Sequence, residues 1–206
     1  MDNFEIHKLI RRATDQAEEL GFFARATSSL KRDEALFERV LIIGCPGSGK
    51  SALARRLAGA TGLPVVHLDR YFWGEGWVEP APDVWRARLA DLMGAPRWIM
   101  DGNYTNTLSL RLAGADTAIF LDFPTWLCLG RVLRRALRWF GRHRGDDMAP
   151  GCHEWIDVGF LLYVWRFPRD QRGRVLQALE KFPGRVIVLR GNRDLATFVS
   201  SLSDSA

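Results

Sequence analysis

The stretch from Leu41 to Leu53, LIIGCPGSGKSAL, decides the fold. The residues that lead into it, RVLII at 39–43, are aliphatic and β-branched without alternation, the pattern of a strand buried on both faces of a parallel sheet. Gly44, Gly47 and Gly49 then supply backbone conformations that a Cβ makes costly. SALARRLAGATG reads as a helix that ends near Gly62. Strand, glycine loop and helix follow in that order, and the spacing Gly44-x-x-x-x-Gly49-Lys50-Ser51 is that of a phosphate-binding P-loop.

Such a loop suits a polyphosphate, which carries several negative charges and many acceptor oxygens. Across Gly44, Cys45, Pro46, Gly47, Ser48 and Gly49, successive backbone N–H groups are expected to form a nest, and the helix behind them adds its positive N-terminal end. Lys50, one of only four lysines in the chain, then reaches the outer phosphates of ATP, and the Ser51 hydroxyl ligates Mg²⁺.

A chain of 206 residues with 47% hydrophobic residues has enough apolar material for one cored domain with an appendage. It has no apolar run near the 18 residues or so that a membrane span requires, and no basic-then-apolar leader, so a cytoplasmic protein without membrane partners is expected. Cys45, Cys128 and Cys152 lack paired metal-ligand spacing and fit reduced thiols. Net charge is +5, unevenly placed: the first 38 residues carry −2, while positions 123–145 hold six arginines and no acid. A basic block of this kind is a solvated helix face or an anion site, and beside a P-loop the anion site is the better reading.

Residues 4–20 place Ile6, Leu9, Ile10, Ala13, Ala17 and Leu20 at helical spacing, so residues 1–38 read as a helical extension. It could cap the sheet, mediate a homodimer or reflect an upstream start codon. From residue 39 to 206 strands and helices alternate, with strands at 39–43, 64–68, 97–100, 117–121 and 185–189 and helices at 50–60, 82–93, 105–112, 124–140, 154–165, 169–181 and 193–201. That alternation gives a parallel sheet with helices on both faces, whose ligand lies beyond the carboxyl ends of the strands. The residues at those ends are the P-loop, Asp69, Asp101-Gly102-Asn103, Asp122, and Arg190 with Gly191 and Asn192.

Three of the four later strands therefore end on an aspartate. Phosphoryl transfer requires a held metal, neutralised charge and an in-line acceptor. Asp101 closes an apolar strand as a Walker B acid does and is expected to hold Mg²⁺ through water. Asp69 lies at a position that resembles the one where many small P-loop kinases have an acid contacting the acceptor or its hydroxyl, whereas Asp122, before Phe-Pro, is expected to cap the next helix. Residues 124–151 read as a lid: Arg131, Arg134, Arg135 and Arg138 recur at spacings of three and four, and Gly141, Gly145 and Gly151 make a turn beyond them. Trp73, Trp77 and Trp85 either stack on a base or acceptor or form the core of an insertion.

GCPGSGKSALARRLAGATGLPVVHLD, the W-x-x-x-W run from Trp73 to Trp77, and WIMDGNYTNTLSLRLAGADTAIFLDFPTWLCLGRVLRR together resemble the adenylate kinase-related proteins known as DNA topology modulation proteins, within the nucleoside monophosphate kinase group. The likeness runs from about Arg39 to the end. It implies a three-layer α/β/α P-loop NTPase fold with a five-stranded sheet in the order 2-3-1-4-5, an acceptor insertion near 70–96 and an arginine-bearing lid. It also implies that Arg111 contacts the acceptor phosphate and that Arg131, Arg134 and Arg135 act from the lid. Adenylate kinases continue Asp-Gly-Phe-Pro-Arg; here the run is Asp101-Gly102-Asn103-Tyr104, which argues against AMP and gives Asn103 and Tyr104 a different acceptor to bind.

The leading functional expectation is an ATP- and Mg²⁺-dependent phosphotransferase acting on a small acceptor, either a nucleoside monophosphate or a hydroxyl compound. A nucleotide-gated regulator of DNA topology and an NTP hydrolase are the alternatives. A pI near 9.5 favours DNA contact, but the sequence has no helix-turn-helix or zinc-finger pattern, so direct nucleic-acid binding is not expected.

Overall fold

The computed structural model describes residues 37–145 and 147–203; the helix expected over residues 4–20 lies outside them. In chain order the elements are β1 (Arg39–Gly44), α1 (Lys50–Thr61), β2 (Val65–His67), α2 (Leu68–Phe72), α3 (Pro82–Met93), β3 (Trp98–Asp101), a 3-10 turn (Thr105–Thr107), α4 (Leu108–Gly114), β4 (Thr117–Leu121), α5 (Thr125–Arg138), α6 (Val158–Phe167), a π turn (Pro168–Arg172), α7 (Gly173–Glu180), β5 (Arg185–Leu189) and α8 (Asn192–Ser203). The five strands form one parallel sheet in the order β2-β3-β1-β4-β5. That order, expected from the sequence, places β1 at the centre and the P-loop in the crevice where connections leave in opposite directions.

Alternation along β1 divides the core between the two faces. Val40 and Ile42 pack with Leu53, Leu57, Val164 and Phe198 under α1, α6 and α8. Leu41 and Ile43 pack on the other face with Leu89, Leu112, Val175 and Leu179 under α3, α4 and α7. All four β1 residues are fully buried, which explains the unbroken apolar run in the sequence.

Helices depart from expectation in three regions: α2 over Leu68–Phe72 is not expected and takes the end of the strand expected at 64–68, residues 105–107 of the helix expected at 105–112 form a 3-10 turn, and the largest difference follows α5. The helix expected to begin at 154 starts at Val158, because the Asp157 carboxylate accepts the Phe160 N–H at 3.2 Å and caps it. The break expected between 165 and 169 is absent, since residues 158–180 continue with helical dihedrals through the π turn. Pro168 has no N–H to give to the turn before it, and the ladder widens locally to accommodate the loss.

Asp122 does not cap α5, whose N-cap position is Pro124 without a side-chain bond. Its carboxylate instead accepts two bonds from Arg172, Nε at 2.8 Å and Nη2 at 2.7 Å, a bidentate pair from the π turn. Of the tryptophans, Trp85 is core, packed edge-on against Phe72 with ring centroids 5.0 Å apart. Trp73 and Trp77 pack on each other and on Met148, Ala149 and Cys152 of the loop after α5. Among the described residues no helix is long and apolar enough to cross a membrane.

Candidate functional site

The loop at the end of β1 is closed by its glycines and by α5. Gly47 has φ +83°, and a Cβ there would stand 2.3 Å from the Cys128 carbonyl oxygen and 2.9 Å from Val132 Cγ2. Gly47→Ala therefore combines left-handed strain with a backbone clash. It should lower stability by about 2 kcal/mol and weaken nucleotide binding; thermal denaturation and nucleotide titration check both effects. Beneath the loop Cys45 Sγ lies 3.9 Å from the Val164 carbonyl oxygen, and the neighbouring Cys128 thiol, with burial, pushes the Cys45 thiol above its ordinary range.

Behind the loop, half-buried Lys50 folds back so that Nζ donates to the Gly44 carbonyl at 2.9 Å and the Cys45 carbonyl at 3.1 Å. Burial lowers its pKa, against the opposing attraction of Asp101 and Asp69. Ser51 Oγ donates to Asp101 Oδ2 at 2.6 Å. The other Asp101 oxygen meets His67 Nδ1 at 2.7 Å, and His67 Nε2 lies 3.4 Å from Asp147 Oδ1, whose carboxylate is also bound by Arg55. Burial works to lower the His67 pKa, but the hydrogen bond and charge of Asp101 outweigh it and the net shift is upward. The structure thus brings Lys50, Ser51 and Asp101 together as expected. It adds His67 and Asp147, which are not among the expected site residues: His67 stands two residues before Asp69 in the same strand-end run, and Asp147 lies in the glycine-bearing turn beyond α5.

Asp69, in α2, forms the second half of the site. Tyr104 donates its hydroxyl to Asp69 Oδ1 at 2.7 Å. The Tyr104 ring packs against Phe72 at 4.5 Å and Trp85 at 5.3 Å between centroids. Burial, then the Asp69 charge, raises the Tyr104 pKa, so the phenol stays a donor. Asn103 Nδ2 donates to Tyr163 Oη at 3.1 Å and Thr105 Oγ1 to Gln171 Oε1 at 2.6 Å, tying the segment after β3 to α6 and the π turn.

Arg111 corrects an expectation. Its side chain is wholly buried, and its guanidinium donates to the carbonyls of Gly102 at 3.1 Å, Asn103 at 2.7 Å and Tyr104 at 2.9 Å. Burial pushes its pKa down to about 10. It shapes the 102–104 turn from below, spending its Nη donors on backbone carbonyls where the resemblance implies an acceptor phosphate.

The arginines of α5 divide by face. Arg131 donates to the Ser48 carbonyl at 3.1 Å and to Asn192 Oδ1 at 2.7 Å, so it bridges the P-loop and the start of α8. Arg135, half-buried, holds Glu154 Oε1 through Nε and Nη2, both at 2.9 Å. Arg134 and Arg138 are exposed on the outward side, and the shared face expected from their spacing reduces to Arg131 and Arg135. Arg190 is exposed, and its backbone N–H is capped by Asp194 at 2.8 Å. Trp77 Nε1 donates to the His153 carbonyl at 3.0 Å, fastening the segment between α2 and α3 to the loop after α5. A cavity of about 240 Å³ opens beside the loop between Ser48, Gly49, Arg56, Arg131 and Leu195.

No protein-family model matches the chain. Over 143 residues, 69% of its length, it is 27% identical to the ATP-dependent zinc metalloprotease FtsH of Thermotoga maritima, of which the match covers 18%. A 105-residue match to the FtsH of Acidothermus cellulolyticus is 31% identical and covers 48% of this chain and 15% of that protein. The chain therefore spans less than a fifth of the length of these curated relatives. Among solved structures, a shikimate kinase from Acinetobacter baumannii superposes with a TM-score of 0.52 at 17% identity, over 82% of this chain and 94% of that one. A gluconokinase from Sinorhizobium meliloti 1021 superposes with a TM-score of 0.48 at 17% identity, over 83% and 94%. Sheet order, loop and the shikimate kinase likeness define the class: this is a P-loop protein with the three-layer α/β/α fold of the small kinases.

Proposed function

We propose that the protein is an ATP- and Mg²⁺-dependent phosphotransferase that moves the γ-phosphoryl group of ATP to a small acceptor bound beside Asp69. The observation that carries this reading is the Ser51–Asp101 contact of 2.6 Å directly behind Lys50, with a second carboxylate, Asp69, at the same sheet edge. A hydroxyl and a carboxylate are the hard oxygen donors that Mg²⁺ takes, so the residues fit the ion. When bound, Mg²⁺ neutralises charge that builds on the transferred group.

Lys50 now rests on two carbonyls, and those weak bonds are exchanged for phosphate oxygens when ATP enters. The cavity between Arg56, Arg131 and Leu195 receives the base: its volume equals that of roughly eight water molecules, enough for a flat heterocycle. Asp69 takes the proton of an acceptor hydroxyl as its oxygen attacks the γ-phosphorus. The bond from that phosphorus to the β-bridging oxygen breaks, and ADP leaves. Arg131, already on the loop, and Arg135, drawn from Glu154, balance the charge of the moving phosphoryl. The likeness to the nucleoside monophosphate kinase group and to DNA topology modulation proteins rests on the sequence segments alone, as does assignment of residues 70–96 and 124–151 as acceptor insertion and lid.

The test is ADP formation from ATP and Mg²⁺ with and without candidate acceptors; turnover that no acceptor improves would overturn the proposal. Two substitutions separate the halves of the site. Asp101→Asn should raise the Mg²⁺ requirement by about tenfold. Asp69→Asn should lower acceptor-dependent turnover by about 10²-fold or more with little change in the Mg²⁺ requirement. An identical, acceptor-independent defect in both would refute this division.

A further inference from the structure

We infer that the acceptor is an uncharged compound rich in hydrogen-bond donors, a polyol or a nucleoside, and not a phosphate or carboxylate; this deepens and rests on the phosphotransfer reading above. Asn103 carries the argument. It is 8% exposed, and its Nδ2 is taken by Tyr163, but its Oδ1 is buried with no hydrogen-bond partner. An orphaned buried acceptor is costly, and a ligand that donates to it removes the cost.

The groups around it ask for the same chemistry. Tyr104, the next residue, donates its hydroxyl to Asp69 Oδ1 at 2.7 Å, which sets the turn at Asn103 beside that carboxylate. Asp69 is an acceptor, and the Tyr104 proton is already committed to it. Of the cations nearby, Arg135 is on Glu154 and Arg172 on Asp122, whereas Arg111 lies beneath the turn on three carbonyls and Arg174 donates to the Asn106 amide oxygen. An anionic group placed there would be repelled by Asp69 and would offer Asn103 Oδ1 no donor, whereas hydroxyl or amino donors suit both acceptors. Phe72 and Tyr104, tilted together over Trp85, add apolar ring surface next to Asp69.

The test uses the full chain and matched acceptors: glucose against gluconate and glucose 6-phosphate, and adenosine against AMP. In at least one set the uncharged member should give a kcat/KM at least tenfold above its anionic counterpart. Asn103→Leu should raise the KM for that acceptor at least tenfold and the KM for ATP less than twofold. Asn103→Asp, equal in shape and still an acceptor, should keep the uncharged compound as the better substrate, which separates chemistry from a folding defect. Lys50-dependent turnover that prefers the anionic members, or an Asn103→Leu change that raises both KM values alike, overturns the inference and leaves phosphotransfer standing. If no compound raises ADP release above the acceptor-free rate, phosphotransfer falls and the inference with it.

Discussion

Lys50→Ala is expected to reduce acceptor-dependent ADP formation by about 10²- to 10³-fold with little change in thermal stability. Lys50 is the side chain proposed to approach the outer phosphates, and no other lysine lies in the loop. In the folded protein its ammonium meets two backbone carbonyls and is carried at a depressed pKa through burial, so its removal deletes a charge that the fold itself hardly uses. Turnover at saturating ATP, with the melting temperature measured alongside, checks both halves. Lys50→Met, which keeps the length of the side chain, should lose as much activity as alanine. Near-normal turnover in either variant would remove the P-loop from the chemistry.

The second large effect falls on folding. Arg111→Ala should lower stability by about 4 kcal/mol, from lost charged hydrogen bonds and an internal cavity, and the melting temperature by roughly 10 °C. Three carbonyls of one turn converge on this guanidinium, and burial leaves no water to replace it. Arg111→Lys should recover little, because a single ammonium cannot span all three oxygens with a planar fork. Were Arg111 the acceptor-phosphate arginine that the resemblance implied, the variant would melt normally and show only a raised acceptor KM.

How much of this was legible beforehand depends on how local each signal is. The P-loop, the buried central strand and the strand-end aspartates were readable because each is written in a few adjacent residues whose types admit few alternatives. Gly62, expected to end α1, does so with a left-handed φ of +70° and an N–H bonded to Ala58. What escaped is long-range. Tyr163 is 60 residues from Asn103, Gln171 is 66 from Thr105 and Arg172 is 50 from Asp122, and no local pattern announces such pairs. The α5 arginines show a subtler failure: spacings of three and four fix neighbours on a helix, but at about 100° per residue they cannot decide which pair faces inward. Asp122 misled because a carboxylate before a helix is usually a cap, and here a bidentate arginine outcompeted the backbone.

The helical run from Val158 to Glu180 bends its hydrogen-bond ladder once, at Pro168–Arg172, and at that point it grips two strand ends, Thr105 after β3 through Gln171 and Asp122 after β4 through Arg172. Tyr163, on the arm before the bend, reaches Asn103. A rod pinned at its middle is a lever in form: displacement of the arm that bears Tyr163 would pull on the turn at Asn103, with the pins on Thr105 and Asp122 as fulcrum.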